Sequence, residues 1–287
     1  MQKSTADIAK DPAVFARAKI NLTLHIGRVI ADPHDPFFGY HPVDSLVVFA
    51  DIGDMLELRR SDAPSLQITG PFGDALESGP NNLIMQTLQL CGAAPHDVTL
   101  TKNLPVSAGI GGGSANAAAV MRYLNITDAE LAGQIGADVP VCLLSQTSHM
   151  TGIGENVTPL LNMGQLFAVL INPGVAVSTA EIFKRFDQSS AIRETPRPQL
   201  ASGDLLERAL SGRNDLQPIA IEVQPIIADA IGALERQKGC QLARMSGSGA
   251  TCFGIFETQG QAEIAARTMA SNHPDWWVLA TLFGEAA

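Results

Sequence analysis

Apolar and polar residues alternate without a break from Ala18 to Ile26, in the order Ala18-Lys19-Ile20-Asn21-Leu22-Thr23-Leu24-His25-Ile26. That is the period of a strand with one face buried. Lys19, Asn21, Thr23 and His25 then share the opposite face, which the pattern alone leaves open between an ordinary solvated face and a functional one. Shorter strand-like runs recur at 43–50, 55–59, 66–69 and 98–102, with helical runs at about 82–90 and 115–124. Thr127-Asp128-Ala129-Glu130 has capping-box spacing with Thr127 at the N-cap, and the helix it opens is expected to end at Gly136. Pro140 suits the first turn of a further helix, and Asp138 just before it fits as an N-cap.

From Leu166 the pattern changes. Leu166 to Ile171 is a compact apolar strand closed by the turn Asn172-Pro173-Gly174, and Ser178-Thr179-Ala180-Glu181 is a second capping box. A loop rich in Ser, Pro and Arg is expected over 188–203, then a helix at 217–237, strands at 241–246 and 251–257, a helix at 260–271 and a strand at 276–283. This second alternation predicts a separate α+β unit. The division is placed at residues 1–163 and 164–287. The loop Met245-Ser246-Gly247-Ser248-Gly249-Ala250 reads by itself as a hairpin connection.

The densest chemical signal is Leu104-Pro105-Val106-Ser107-Ala108-Gly109-Ile110-Gly111-Gly112-Gly113-Ser114-Ala115-Asn116. Four glycines in five positions let successive amides turn the same way. The alanine-rich run from Ala115 to Leu124 follows at once, so the loop meets the positive end of a helix, a favourable place for phosphate. No Gly-Lys pair occurs anywhere in the chain, which excludes a Walker loop. The dinucleotide fingerprint fits only loosely, because Pro105 interrupts the strand that should precede it.

Composition narrows the class. The chain has 287 residues, 46% of them hydrophobic and 17% charged, as in a globular protein rather than a disordered one. Its net charge of −10 argues against a broad nucleic-acid surface, and no nucleic-acid partner is expected. Cys91, Cys142, Cys240 and Cys252 lack Cys-x-x-Cys spacing and read as reduced core thiols. No apolar run approaches a membrane span and the N-terminus lacks a signal pattern, so a cytoplasmic enzyme with no membrane partner is expected. The histidines form no ligand cluster, no metal-binding residue is identified, and the oligomeric state is not legible.

A lysine-bearing strand, a Pro-x3-Gly-x-Gly-Gly-Gly-Ser loop and a late Gly-Ser-Gly-Ala loop, in that order, resemble the GHMP kinase superfamily of galactokinase, homoserine kinase and mevalonate kinase. The resemblance is closest to the branch acting on a cytidine-diphosphate-linked methylerythritol. It is carried by Ala18 to Leu22, Gly39-Tyr40-His41, Asn81-Asn82-Leu83-Ile84, Pro105 to Ala118, Gly136 to Pro140, Pro173-Gly174-Val175, Asn214-Asp215 and Ser246 to Ala250.

The resemblance implies the two-domain GHMP kinase α+β fold: an N-terminal ribosomal-protein-S5-domain-2-like domain that binds ATP and a C-terminal ferredoxin-like α+β domain. It implies ATP-dependent phosphorylation of the 2-hydroxyl of a small-molecule substrate carrying a cytidine diphosphate group, with Mg2+ held mainly by the nucleotide. Lys19 and Asp138 match the catalytic pair. Lys102, Pro105, Val106, Ser107, Ala108, Gly109, Ile110, Gly111, Gly112, Gly113, Ser114 and Ala115 match the nucleotide site. Asn21, Tyr40, His41, Gly247, Ser248 and Gly249 match substrate-side positions. Three departures stand out: about fifteen residues precede Ala16, the 28–38 segment is long and proline-rich, and Ala115 replaces a second serine common in the family.

Overall fold

The computed structural model describes residues 13–189 and 203–285. The loop expected over 188–203 therefore lies largely outside the described residues. The first half runs β1 (Val14–Asn21), β2 (His25–Ile26), β3 (Val43–Arg60), β4 (Ser65–Thr69), α1 (Leu83–Leu90), β5 (His96–Thr101), α2 (Gly112–Tyr123), α3 (Ala129–Ile135), α4 (Val139–Leu144), β6 (Ser148–Thr151) and β7 (Asn156–Pro159). The second runs β8 (Gln165–Asn172), α5 (Thr179–Gln188), α6 (Leu205–Ser211), α7 (Gln217–Val223), α8 (Ile226–Glu235), β9 (Cys240–Met245), β10 (Cys252–Phe256), α9 (Gln259–Asn272) and β11 (Trp277–Gly284).

Among the described residues eleven strands join one sheet, whose main path is β4-β5-β3-β11-β8-β10-β9. β3 is its spine, pairing with β1, β2, β5 and β6 and touching β11 through Phe283 opposite Ala50. Two strands were expected where β3 runs unbroken for 18 residues. The polar residues between the two expected runs are taken up by tertiary partners. The Asp51 carboxylate accepts from the Thr281 hydroxyl and the Leu282 amide. Asp54 is fully buried and bonds into the segment after β5.

The alternating run 18–26 is also not one strand. β1 ends at Asn21, and the Leu22 and Thr23 amides both turn to the Leu46 carbonyl before β2. Its polar face is not solvated: Lys19, Asn21, Thr23 and His25 are all buried. The row is satisfied sideways, with Asn21 Nδ2 donating to Ser45 Oγ at 2.8 Å and Ser45 Oγ to the Thr23 carbonyl at 2.6 Å.

Helix limits differ in instructive ways. Asp128, not Thr127, caps α3 by accepting the amides of Glu130 and Leu131. Gly136 ends α3 as expected. At α5, Ser178 accepts from the Glu181 amide, while the Glu181 carboxylate turns to Arg185 instead of closing the box. The helix expected at 217–237 is two, α7 and α8, separated at Gln224 and Pro225 because proline cannot donate to the preceding turn.

Three hydrophobic cores form. One draws on residues 16–150 and another mainly on 169–269. The third mixes both halves: Ala18, Ile20, Val48 and Ile110 pack with Leu170, Phe253 and Phe283. All four cysteines are free. No helix among the described residues is long and apolar enough to cross a membrane.

Gly53, at the irregular register between Arg17 and Lys19 of β1, has no room for a side chain, since a methyl there would collide with the Ala16 carbonyl. Gly53→Ala is expected to lower stability by about 1–3 kcal/mol through strand displacement, measured as a lower midpoint in urea unfolding.

Candidate active site

The site is assembled from β1 outward. Lys19 projects from β1 into a buried position, and its ammonium lies 2.7 Å from Asp138 Oδ1. Asp138 occupies the N-cap position of α4, yet its side chain makes no capping hydrogen bond. Its carboxylate takes the Lys19 ammonium instead, so capping does not explain an aspartate here. Lys19 is 4% exposed and Asp138 36%, which leaves the carboxylate as the open partner.

The glycine loop lies alongside. The Lys19 amide donates to the Ile110 carbonyl at 3.0 Å, tying β1 to the loop. Gly111 is the N-cap of α2 with φ of 63°, the left-handed conformation that glycine adopts freely. The helix begins at Gly112, earlier than expected, so Gly112 and Gly113 belong to its first turn. First-turn amides have no acceptor within their own helix and carry its positive end. Behind them Ala115, Ala117, Ala118 and Ala119 are buried, and their small side chains let α2 sit close to β1.

The second glycine loop packs directly on the first. At Gly109, with φ of 73°, a methyl would lie 2.5 Å from the Ser246 carbonyl oxygen and 2.7 Å from the Gly249 amide. At Gly247 it would lie 2.6 Å from the Gly109 carbonyl oxygen. Ser246 Oγ accepts the Asn21 amide and donates to the Gly109 carbonyl, both at 3.1 Å. Asn214 Nδ2 donates to the Met245 and Gly247 carbonyls at 2.8 Å each. The 245–250 connection does join β9 and β10 as a hairpin, and it also buttresses the phosphate loop.

These elements wall a cleft of about 1040 Å³. Lys19, Asn21, Lys102, Asp138, Gly247 and Ser248 line it, with residues 105–109 and 111–114. Ile110 and Ala115 do not: both are buried in the cores on either side of the loop. Gly249 lies behind the wall, against Met245. Tyr40 and His41 are not brought to it either. Tyr40 is 56% exposed on the 28–40 segment. His41 lies behind the wall, its ring 5.3 Å from that of Phe183, with Nδ1 2.9 Å from the Gly27 carbonyl and Nε2 3.1 Å from Asp187. Phe183 itself lines the cleft.

Sequence reasoning missed three residues here. Asp54 anchors Lys102, and nothing in the sequence set it apart from the other charged residues of β3. Asn116 interrupts the alanine run of α2 and presents a buried Oδ1 without a protein partner to the cleft. Phe183 left no signal beyond a place on an amphipathic helix. Asn21 Oδ1 is likewise buried in the wall without a protein partner. Burial and the neighbouring Asp138 push the Cys142 thiol up to about 12, which removes it as a nucleophile. Among the described residues no group of three His, Cys, Asp or Glu could hold a metal ion.

Two family models match, the GHMP kinases N terminal domain over residues 82–146 and the GHMP kinases C terminal over 197–275. The 4-diphosphocytidyl-2-C-methyl-D-erythritol kinase of Roseobacter denitrificans is 45% identical over 287 aligned residues, covering 96% of this chain and 94% of the relative. The chain belongs to the 4-diphosphocytidyl-2-C-methyl-D-erythritol kinase family. The family member from Parvibaculum lavamentivorans is 40% identical, covering 92% of this chain and 95% of its own. A crystal structure of 4-(cytidine 5'-diphospho)-2C-methyl-D-erythritol kinase superposes with a TM-score of 0.72 at 27% identity, covering 96% of this chain and all of that one. A homoserine kinase from Cytophaga hutchinsonii, at 19% identity and a TM-score of 0.65 over 99% and 98% of the chains, shares the fold. This family membership makes the chain an ATP-dependent small-molecule kinase with the two-domain GHMP kinase α+β fold.

The loop-to-loop packing gives a direct test. Gly109→Ala is expected to weaken binding of a non-hydrolysable ATP analogue by at least about tenfold, read by isothermal titration calorimetry, because the methyl must push the two loops apart.

Proposed function

We propose that the chain transfers the γ-phosphoryl group of ATP to the 2-hydroxyl of 4-diphosphocytidyl-2-C-methyl-D-erythritol, giving the 2-phosphate and ADP. One observation carries the reading: an aspartate at a helix N-cap ignores the helix and pairs with a buried lysine beside a glycine-cradled helix start. Within the chain, 1–163 supplies the nucleotide half and 164–287 the second wall of the cleft.

The chemistry follows from that placement. A secondary alcohol is a weak nucleophile, and Asp138 accepts its proton as the oxygen forms its bond to the γ-phosphorus. The bond from that phosphorus to the β,γ-bridging oxygen breaks, and ADP leaves with the electron pair. Lys19 balances the charge passing between hydroxyl, carboxylate and phosphoryl oxygens. The first-turn amides of α2, the Ser114 hydroxyl and the loop 105–109 hold the triphosphate still. Mg2+ neutralises phosphate charge in such transfers. The donor set fits a cation held chiefly by phosphate and water, with Asn116 Oδ1 and Ser114 as neutral oxygen donors within the cleft wall.

Asn21 Oδ1 and the 247–248 loop face the acceptor. The cytidine end belongs at the end of the cleft lined by Phe183, with His41 behind that ring and Tyr40 on the adjoining segment turning inward to stack on the base. An acidic chain that draws on the ATP pool for biosynthesis belongs in the cytoplasm.

The test is purified protein with ATP and a panel of alcohols. Phosphorylation of the diphosphocytidyl substrate at its 2-hydroxyl is expected; turnover of homoserine or mevalonate instead would overturn the proposal. Asp138→Asn should lower kcat by about 10²–10⁴ while ATP-analogue binding stays near wild type. Tyr40→Ala should raise the acceptor KM about tenfold, the worth of one lost base–aromatic stack, with kcat changed far less. An unchanged KM would remove Tyr40 from the cytidine site.

A further inference from the structure

Lys102 enters the nucleotide site from an unusual position. It is 3% exposed, and its ammonium lies 3.1 Å from where a methyl on Gly112 would stand, directly beneath the start of α2. A cation there faces the positive end of the helix, which repels it. What holds it is Asp54, fully buried on β3, whose Oδ2 accepts from Lys102 Nζ at 2.5 Å. The other oxygen, Oδ1, accepts the amides of Asn103 at 2.8 Å and Leu104 at 2.9 Å. One carboxylate therefore fixes the lysine head and the two residues that lead the backbone into Pro105.

We infer that Asp54 is a positioning residue for the nucleotide: it keeps Lys102 protonated and aimed at the phosphates, and it sets the exit of β5 into the phosphate loop. This inference rests on the proposed nucleotide site but not on the identity of the acceptor. Asp54 does not line the cleft, so it acts through Lys102 and the loop and touches no ligand itself.

Charge makes the role specific. Burial pushes the Lys102 ammonium below lysine's ordinary value, while the charge and hydrogen bond of Asp54 act against that fall. Asp54 is the carboxylate in direct contact with the ammonium, and the Lys19–Asp138 pair lines the same cleft. From α2 the helix's positive end faces it. From β4 and the turn after it, Thr69 O and Phe72 N meet only the Lys102 backbone. The sign follows: a lysine deprived of its partner loses its proton at lower pH, so phosphate affinity is kept at low pH and lost earlier as pH rises.

Asp54→Asn tests this, because the amide keeps an acceptor for Asn103 and Leu104 while it removes the charge and the oxygen that accepts from Lys102. Binding of a non-hydrolysable ATP analogue is followed by calorimetry between about pH 7 and 10. The variant is expected to bind about tenfold more weakly at neutral pH, and its affinity should break at a lower pH than wild type. Adding Lys102→Arg, whose guanidinium stays charged when buried, should abolish that early break. A purely structural role would lower thermal stability and leave the pH profile of binding in place. Wild-type affinity, or weaker affinity with an unshifted pH profile, would overturn the inference. If Asp54→Asn does not fold, Lys102→Met, which leaves the Asp54 backbone bonds intact, decides the matter: wild-type affinity for the analogue would overturn it, and a loss of tenfold or more would support it. Because the readout is nucleotide binding, failure here is distinguishable from failure to phosphorylate the proposed acceptor, which only turnover reports.

Discussion

The backbone contact between Gly109 and Gly247 is the constraint on which the site depends. A methyl on Gly247 would strike the Gly109 carbonyl, and one on Gly109 would strike the Ser246 carbonyl and the Gly249 amide, so the two loops approach as bare peptide on peptide. The nucleotide loop comes from the first half of the chain and its buttress from the second, and Ser246 Oγ adds a bond to each of β1 and the loop. Only in this arrangement do the Lys19 strand, the start of α2 and the Ser248 hydroxyl share one cleft. The mixed core of Ile20, Val48, Leu170 and Phe253 keeps the halves in register beneath it.

Upon that frame the site separates holding from reacting. In the proposed function the glycines and first-turn amides hold the polyanion without presenting any group to the acceptor. Lys19 and Asp138, both lining the cleft, form a paired charge in which the carboxylate is the more exposed partner. A buried ammonium without its carboxylate is costly, so the pair also explains why so polar a residue is tolerated on the buried side of β1.

Much of this was legible in the sequence because local rules agreed with tertiary ones. The period-two run around Lys19, the glycine run before an alanine helix and the proline-led turn after Asp138 are each visible locally, and only their order carried the resemblance to a family. The failures fall where tertiary partners override local pattern. Two strands were read where β3 is continuous; its Asp51 and Asp54 carboxylates, the first at the surface and the second fully buried, accept from other segments. Whether the polar face of β1 is solvated was not legible, because alternation cannot say what covers a strand. Thr127 and Asp128 compete for one cap, and sequence spacing favoured the residue that geometry did not. Tyr40 and His41 matched a family position whose side chains here lie outside the cleft wall.

The central claim is that one carboxylate, held by one lysine, meets the acceptor hydroxyl opposite the transferring phosphorus. A crystal structure with a non-hydrolysable ATP analogue and 4-diphosphocytidyl-2-C-methyl-D-erythritol measures it most directly. The account predicts the 2-hydroxyl oxygen within about 2.6–3.2 Å of an Asp138 oxygen, with the γ-phosphorus in line on its other side and the triphosphate on the 109–114 loop. A 2-hydroxyl out of reach of Asp138, or contacted by a different base, would contradict it.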